Sequence, residues 1–266
     1  MTSKILSSVL ALWMAAPALA GPTDGVVELE ILEGWRTGNG THMAGLQVRL
    51  APGWKTYWRA PGDGGIPPRF GWQGSSNFDG VSMHWPVPEV FHQGDMRSIG
   101  YSEAVVIPLE LNVTDQGAPV QMRGQLQIGI CDEICVPVLL DFDALLPVDG
   151  ARDPMIVAAL LDRPQTAQEA GVGAVTCSIA PIEDGLQLTT RVAMSPLGVS
   201  EDVVIEAGDQ QVWVSQPETW REGDALFARS DMIHVNGGSF ALNRSQVRIT
   251  VMAGGHSVDI QGCDAG

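Results

Sequence analysis

Residues 120–142 read VQMRGQLQIGICDEICVPVLLDF. In the first half, Met122, Gly124, Leu126, Ile128 and Ile130 alternate with their neighbours at the period of two that turns one face of a strand to a core and the other to water. Val136 to Phe142 resumes the apolar, β-favouring composition. Only Asp132-Glu133-Ile134 lies between, flanked by Cys131 and Cys135, so the stretch predicts a β-hairpin with a three-residue turn. Two of the chain's four cysteines sit at that turn. Their spacing admits three readings: a redox-active disulfide, a soft-metal clamp, or a structural staple.

Outward from the hairpin the pattern stays β. Strands are expected at 26–32, 41–50 and 104–113, short alternating or β-branched runs bounded by Gly and Pro. Pro108 within the last of these points to an edge strand or a bulge. The segment 51–70 differs: Pro52, Gly53, Pro61, Gly62, Gly64, Gly65, Pro67 and Pro68 forbid long regular structure, yet Trp54, Tyr57 and Trp58 are large apolar anchors. The aromatics are expected to plug one end of a sandwich core. Residues 91–101 read as a loop leading into a strand.

After Pro147 the pattern changes. Asp153-Pro154 is a helix cap followed by a first-turn proline, and Met155, Ile156, Ala158, Ala159, Leu160 and Leu161 supply an apolar helix face that stops at Pro164. With its polar tail, 151–173 is expected to be a helical linker. Short strands then follow at 175–181, 184–194, 202–207, 210–215, 225–229, 238–243, 246–253 and 256–261. The fold class predicted is all-β: two immunoglobulin-like sandwiches, 21–150 and 174–266, joined by the connector.

Residues 1–20 carry Lys4, an apolar run from Val9 to Met14, and Ala18-Leu19-Ala20 before Gly21, the layout of a cleaved signal peptide. No later segment is long and apolar enough for a span of roughly 20 residues, so the mature chain is expected to be exported and soluble, without a membrane span. The formal charge of −16 over the full sequence argues against nucleic acid as a partner, since such binding depends on basic side chains displacing counterions. Export puts four cysteines, an even number, in an oxidising compartment.

Cys177 opens the second domain and Cys263 nearly closes the chain. Pairing them closes a loop of about 87 residues, worth about 4.6 kcal/mol in the chain-entropy model, so they read as a structural disulfide. Cys131 and Cys135 close about five residues and gain only about 2 kcal/mol. As a staple the pair is poor, but residues flanking a hairpin turn face each other at about the 5.5 Å Cα separation a disulfide needs, and the bond can open without unfolding the sheet. Asp132 and Glu133 disfavour a thiolate beside them, which predicts a sluggish attacker that is itself attacked by a more reactive thiol.

Three segments in order, Gly53-Trp54-Lys55-Thr56-Tyr57-Trp58-Arg59-Ala60-Pro61-Gly62-Asp63, Ile99-Gly100-Tyr101 into Val105–Leu109, and Cys131 through Cys135-Val136-Pro137, resemble the N-terminal periplasmic domain of DsbD and ScsB type thiol:disulfide interchange proteins over about residues 25–147. The resemblance implies an immunoglobulin-like sandwich whose cysteine pair takes electrons from a membrane-embedded donor and passes them to periplasmic thioredoxin-fold proteins, with no cofactor. On it Cys131 and Cys135 are the redox pair, with Tyr57, Trp58, Tyr101, Asp132 and Glu133 lining it. ScsB-like proteins also carry a second β domain, which 174–266 matches loosely. The chain departs from the DsbD pattern in its tighter C-x3-C spacing and in having no counterpart, in His92 to Met96, of the aromatic cap that shields the pair there. It is expected to be free-standing, without the membrane and thioredoxin-like domains, and thus a relay component rather than a stand-alone catalyst.

Two other functions compete. Cys-x3-Cys before Val-Pro is similar to the motif of Sco-type copper chaperones, and the thiolates with Met43, Met83, Met96, His84 or His92 would suit Cu(I); that motif, however, sits between a strand and a helix of a thioredoxin fold, a pattern absent here. The third reading is an inert structural or interaction module with two disulfides.

Overall fold

The computed structural model describes residues 25–266 apart from Asp63 and Asp95, so the leader expected over 1–20 lies outside the described residues. The first domain contains β1 (Val27–Arg36), β2 (Thr41–Leu50), β3 (Lys55–Tyr57), β4 (Arg69–Gly71), β5 (Phe78–Met83), β6 (Glu89–Gln93), β7 (Met96–Ser102), β8 (Ala104–Val113), β9 (Val120–Cys131) and β10 (Cys135–Leu146). One sheet runs β1-β2-β8-β5 and the other β10-β9-β3-β7-β6, with β4 added to β9. The hairpin is continuous, β9 and β10 pairing from Val120↔Leu146 to Cys131↔Cys135. Its inner face places Val120, Met122, Leu126, Ile128 and Ile130 against Leu46, Leu109 and Leu111 of the facing sheet. Each such side chain contributes about 1.5–3 kcal/mol when buried, and a one-residue slip would turn the whole set to water.

Pro108 is neither at an edge nor in a bulge, because β8 lies between β2 and β5. Its carbonyl accepts the His84 N–H at 2.9 Å. The N and O of one residue point the same way across a strand, so the missing N–H faces the point where β5 has just ended at Met83.

The expected linker is divided between the two sandwiches. Asp153 caps α1 (Pro154–Leu161), its carboxylate accepting from Met155 N and Ile156 N, and fully buried Ile156 packs on Leu32 and Met43 of the first domain. The tail instead forms β11 (Gln165–Thr166), which pairs in parallel with a strand of the second domain. That domain continues with β12 (Val175–Ile182), β13 (Gly185–Ala193), β14 (Asp202–Glu206), β15 (Val212–Val214), β16 (Glu218–Glu222), β17 (Ala225–His234), β18 (Arg248–Ala253), β19 (His256–Gln261) and β20 (Asp264–Ala265). Its sheets run β11-β19-β18-β14 and β15-β17-β13-β12-β20, with β16 on β17.

Residues 238–243, expected as a strand, are not one. Gly237 and Gly238 both take positive φ, Phe240 and Leu242 pack on the core without a ladder, and Asn243 caps a 3₁₀ turn over Arg244–Gln246. The strand β16 goes unanticipated because its sequence, Glu-Thr-Trp-Arg-Glu, is mostly polar.

The domains share packed surface. Val204 and Met252 of the second domain belong to the first domain's core cluster, and Val87 N donates to the Asp162 carbonyl at 2.7 Å.

Candidate functional site

The alternation that builds β9 also positions its cysteine. Ile128 and Ile130 point inward, so Gly129 and Cys131 lie on the outer face. Residues Arg123, Gln125 and Gln127 on that face are exposed, yet Gly129 and Cys131 are buried. The cover is the Pro- and Gly-rich segment after β3: a Cβ at Gly129 would lie 2.6 Å from Ile66 Cβ and 2.8 Å from the Tyr57 ring. On the other side of that ring, a Cβ at Gly65 would lie 2.9 Å from Tyr57 Cδ1 and 2.3 Å from Pro61 Cβ. Tyr57 is therefore held between β9 and its own loop, where only glycine leaves room. In place of the cap that His92 to Met96 do not supply, Tyr57 and Ile66 cover the outer face of β9 at Gly129.

Cys131 and Cys135 are disulfide-bonded directly across the turn, with Cα atoms 4.1 Å apart. That is close to the roughly 4.5 Å of a non-hydrogen-bonded antiparallel pair and shorter than the 5.5 Å expected. The two cysteines are unequal in access: Cys131 is 2 % exposed, whereas Cys135 is exposed. The Tyr57 hydroxyl donates to Cys135 Sγ at 3.0 Å and lies 3.4 Å from the Gly64 carbonyl oxygen. Burial pushes the Tyr57 phenol above its ordinary value, so it remains a donor at neutral pH.

The other expected lining residues are sorted by the same period of two. Trp58 follows Tyr57 and turns to the core, fully buried. Tyr101 pairs with Thr56, not Tyr57, and also lies in the core; its hydroxyl donates to the Pro86 carbonyl at 2.9 Å, and burial holds its phenol well above the ordinary value. Neither lines the disulfide, because neighbouring residues of one strand cannot share a face. Asp132 and Glu133 are at the site and exposed to water. Lys55, which the sequence did not single out, stands opposite Cys131 in the ladder and places its Nζ 4.7 Å from the Phe91 ring centre.

Beside the turn runs an open groove of about 800 Å³, lined by Trp54, Val136, Val138 and Leu140 together with Asp132 and Glu133. Ile134 at the tip of the hairpin is 74 % exposed.

The candidate copper ligands are dispersed. Met43 is buried under the helix, Met83 and His84 line a cleft at the domain boundary, His84 contacts Glu110, His92 faces Asp202, and Met96 is exposed. Among the described residues no group of three or more His, Cys, Asp or Glu is arranged to hold a metal, and no helix is long and apolar enough to cross a membrane. Cys177 and Cys263 form the second disulfide, joining β12 to the segment between β19 and β20.

Residues 28–147 match the model of the family described as thiol:disulfide interchange protein DsbD, N-terminal. No curated protein matches the chain significantly. Among solved structures, the N-terminal periplasmic domain of ScsB from Proteus mirabilis is similar at a TM-score of 0.68 and 24 % identity, over 93 % of this chain and 97 % of that one. The likeness spans both sandwiches, so the two-domain fold is shared.

Proposed function

We propose that this chain, whose first sandwich is a DsbD N-terminal-type domain, is an exported thiol:disulfide interchange protein that accepts electrons at Cys131 and Cys135 and passes them on within the periplasm. The observation that carries the reading is the asymmetry of the pair: one cysteine is buried, and the other is exposed with a phenol donor on its sulfur. An incoming thiolate attacks Cys135 Sγ, a new S–S bond forms to the partner, the Cys131–Cys135 bond breaks, and Cys131 leaves as a thiolate that takes up a proton. The partner's second thiol then releases Cys135, so two electrons enter the pair. Run the other way, Cys135 thiolate attacks a partner disulfide and Cys131 closes the ring, handing two electrons on. The Tyr57 donor favours the Cys135 thiolate in both directions, since a hydrogen bond to the charged form lowers a thiol's pKa.

The family's chemistry and the groove support a membrane-embedded thiol donor on one side and thioredoxin-fold acceptors on the other. Trp54, Val136 and Leu140 offer apolar surface beside the hairpin turn that carries the cysteines, suited to the rim around a thioredoxin-type cysteine.

The test is trapping. Cys131→Ala should accumulate a mixed disulfide through Cys135 with a periplasmic thioredoxin-fold protein, while Cys135→Ala should not. A midpoint potential below about −300 mV together with no trapped partner would leave an inert staple and sink the proposal.

A further inference from the structure

We propose that the second domain sets the reactivity of Cys135, by clamping the loop that holds Tyr57 on its sulfur. The proposal rests on the reading of Cys135 as the exchanging thiol and concerns what regulates it.

The clamp begins where β3 ends. Tyr57 faces the disulfide, Trp58 enters the core while its backbone N–H donates to the Ile99 carbonyl at 3.0 Å, and Arg59 reaches the other domain. The Arg59 guanidinium lies 3.9 Å over the Trp58 ring. Its Nε and Nη2 grip both carboxylate oxygens of Glu206 on β14 at 2.9–3.2 Å, and Nη2 also reaches Thr250 Oγ1 on β18 at 3.3 Å. The ion pair is largely withdrawn from water, with side chains 12 % and 27 % exposed.

A second tie secures the other end of the loop. Arg97 on β7, 5 % exposed, donates to Asp202 Oδ1 at 3.2 Å and to the Val203 carbonyl at 3.1 Å. The Arg97 backbone oxygen would lie 2.7 Å from a Cβ at Gly62, which has a φ of +80°, and Ile99 N bonds the Pro61 carbonyl at 2.9 Å. Residues 58–62 are thus fixed at both ends by side chains that terminate on β14. The stretch that follows carries Gly64, whose carbonyl competes for the Tyr57 proton, and Gly65 and Ile66, which confine the ring. One proton serves one acceptor at a time, so the loop's position decides how well the phenol serves the sulfur.

The consequence is a long-range effect whose sign is diagnostic. By charge alone, removing the Glu206 carboxylate should leave the Cys135 thiol pKa unchanged or lower it. Loosening the clamp should raise it, because the thiolate loses its donor.

The experiment is the pH profile of iodoacetamide alkylation of the reduced full-length chain, followed at the Cys135 peptide by mass spectrometry. The thiolate forms the S–C bond and iodide leaves, so the rate follows the thiolate fraction. Glu206→Ala should shift the Cys135 pKa up by about half a unit, about three-fold in rate below the pKa, and should add nothing in a Tyr57→Phe background. An unshifted profile, a downward shift, or the same upward shift without the Tyr57 hydroxyl would overturn the proposal. Should the alanine variant not accumulate as folded protein, Glu206→Gln removes the charge at constant length and is read by the same criteria. Because the probe is a small alkylating agent, the outcome stands whether or not any protein partner is trapped through Cys135.

Discussion

One disulfide of this chain links residues 86 positions apart, Cys177 to Cys263, and the other links residues four apart, Cys131 to Cys135. The long-range bond starts from a fully buried cysteine in the second core and ends on a half-buried one. The short-range bond also has one buried cysteine, but its partner is exposed with a tyrosine hydroxyl against its sulfur. The same covalent link therefore does two jobs. Loop length governs how much it restrains the unfolded chain, and access governs whether a thiolate can reach it. In the second domain restraint is large and access small, and in the first the order is reversed.

The most direct way to break the comparison is to remove each bond. In equilibrium urea unfolding, Cys177→Ala with Cys263→Ala should cost about 4–5 kcal/mol, whereas Cys131→Ala with Cys135→Ala should cost about 2 kcal/mol or less. Equal losses would mean that the hairpin pair is a structural staple after all.

The domains should also part company with pH. In the first, His42 is fully buried, its Nε2 sits 2.6 Å from the Glu33 carbonyl, and Nδ1 has no partner among the described residues. Burial, with the nearby Arg36 charge, lowers its pKa despite that carbonyl contact. Below the ordinary histidine value the folded chain therefore binds less proton at His42 than the unfolded chain does. Its contribution is complete above the unfolded value of about 6.5 and is lost as pH falls below it, by up to about 1.4 kcal/mol between pH 7.5 and 5.5. In the second domain the Glu201 pKa is also lowered, but in a more acid range: burial would raise it, and two Arg221 hydrogen bonds at 2.6 and 2.8 Å and the Leu197 N–H outweigh that. That contribution holds above the ordinary carboxylate value and is lost only in more acid solution. Urea titrations at the two pH values should show the first domain weakening alone, with His42→Gln flattening its response.

Features set by neighbours along the chain were legible in the sequence. The β9–β10 hairpin followed from alternation around a three-residue turn and the start of α1 from Asp153-Pro154; the long disulfide, not a local feature, followed from cysteine pairing across the ends of the second domain. What could not be read depends on contacts across the fold. Tyr57, Trp58 and Tyr101 looked equivalent as aromatics near a motif, and only the pairing of Thr56 with Tyr101 assigns the first to one face and the other two to the core. The seat of the Tyr57 ring was missed because it is made by Gly65 and Gly129, whose missing side chains admit it. A period-of-two rule applied to Lys55-Thr56-Tyr57-Trp58 would have separated the aromatics, but β3 is three residues long and hidden among prolines.

The smallest expected effect concerns the two acids that make the hairpin turn. Asp132 and Glu133 adjoin the cysteines in sequence and suggest a thiol held reluctant to ionise, yet both are exposed, and charges in water are screened within about 8–10 Å at moderate salt. The Tyr57 hydroxyl touches the sulfur from a buried position, where a hydrogen bond is not diluted by solvent. If contact outweighs proximity in sequence, Asp132→Asn with Glu133→Gln should lower the Cys135 thiol pKa by no more than about 0.3 units and lose even that in 1 M salt, while Tyr57→Phe should raise it by more and be indifferent to salt. The alkylation profile of the reduced chain measures both. A salt-sensitive drop of a full unit in the neutralised turn would put the carboxylates in control and return Cys135 to the part of a thiol that is attacked but seldom attacks.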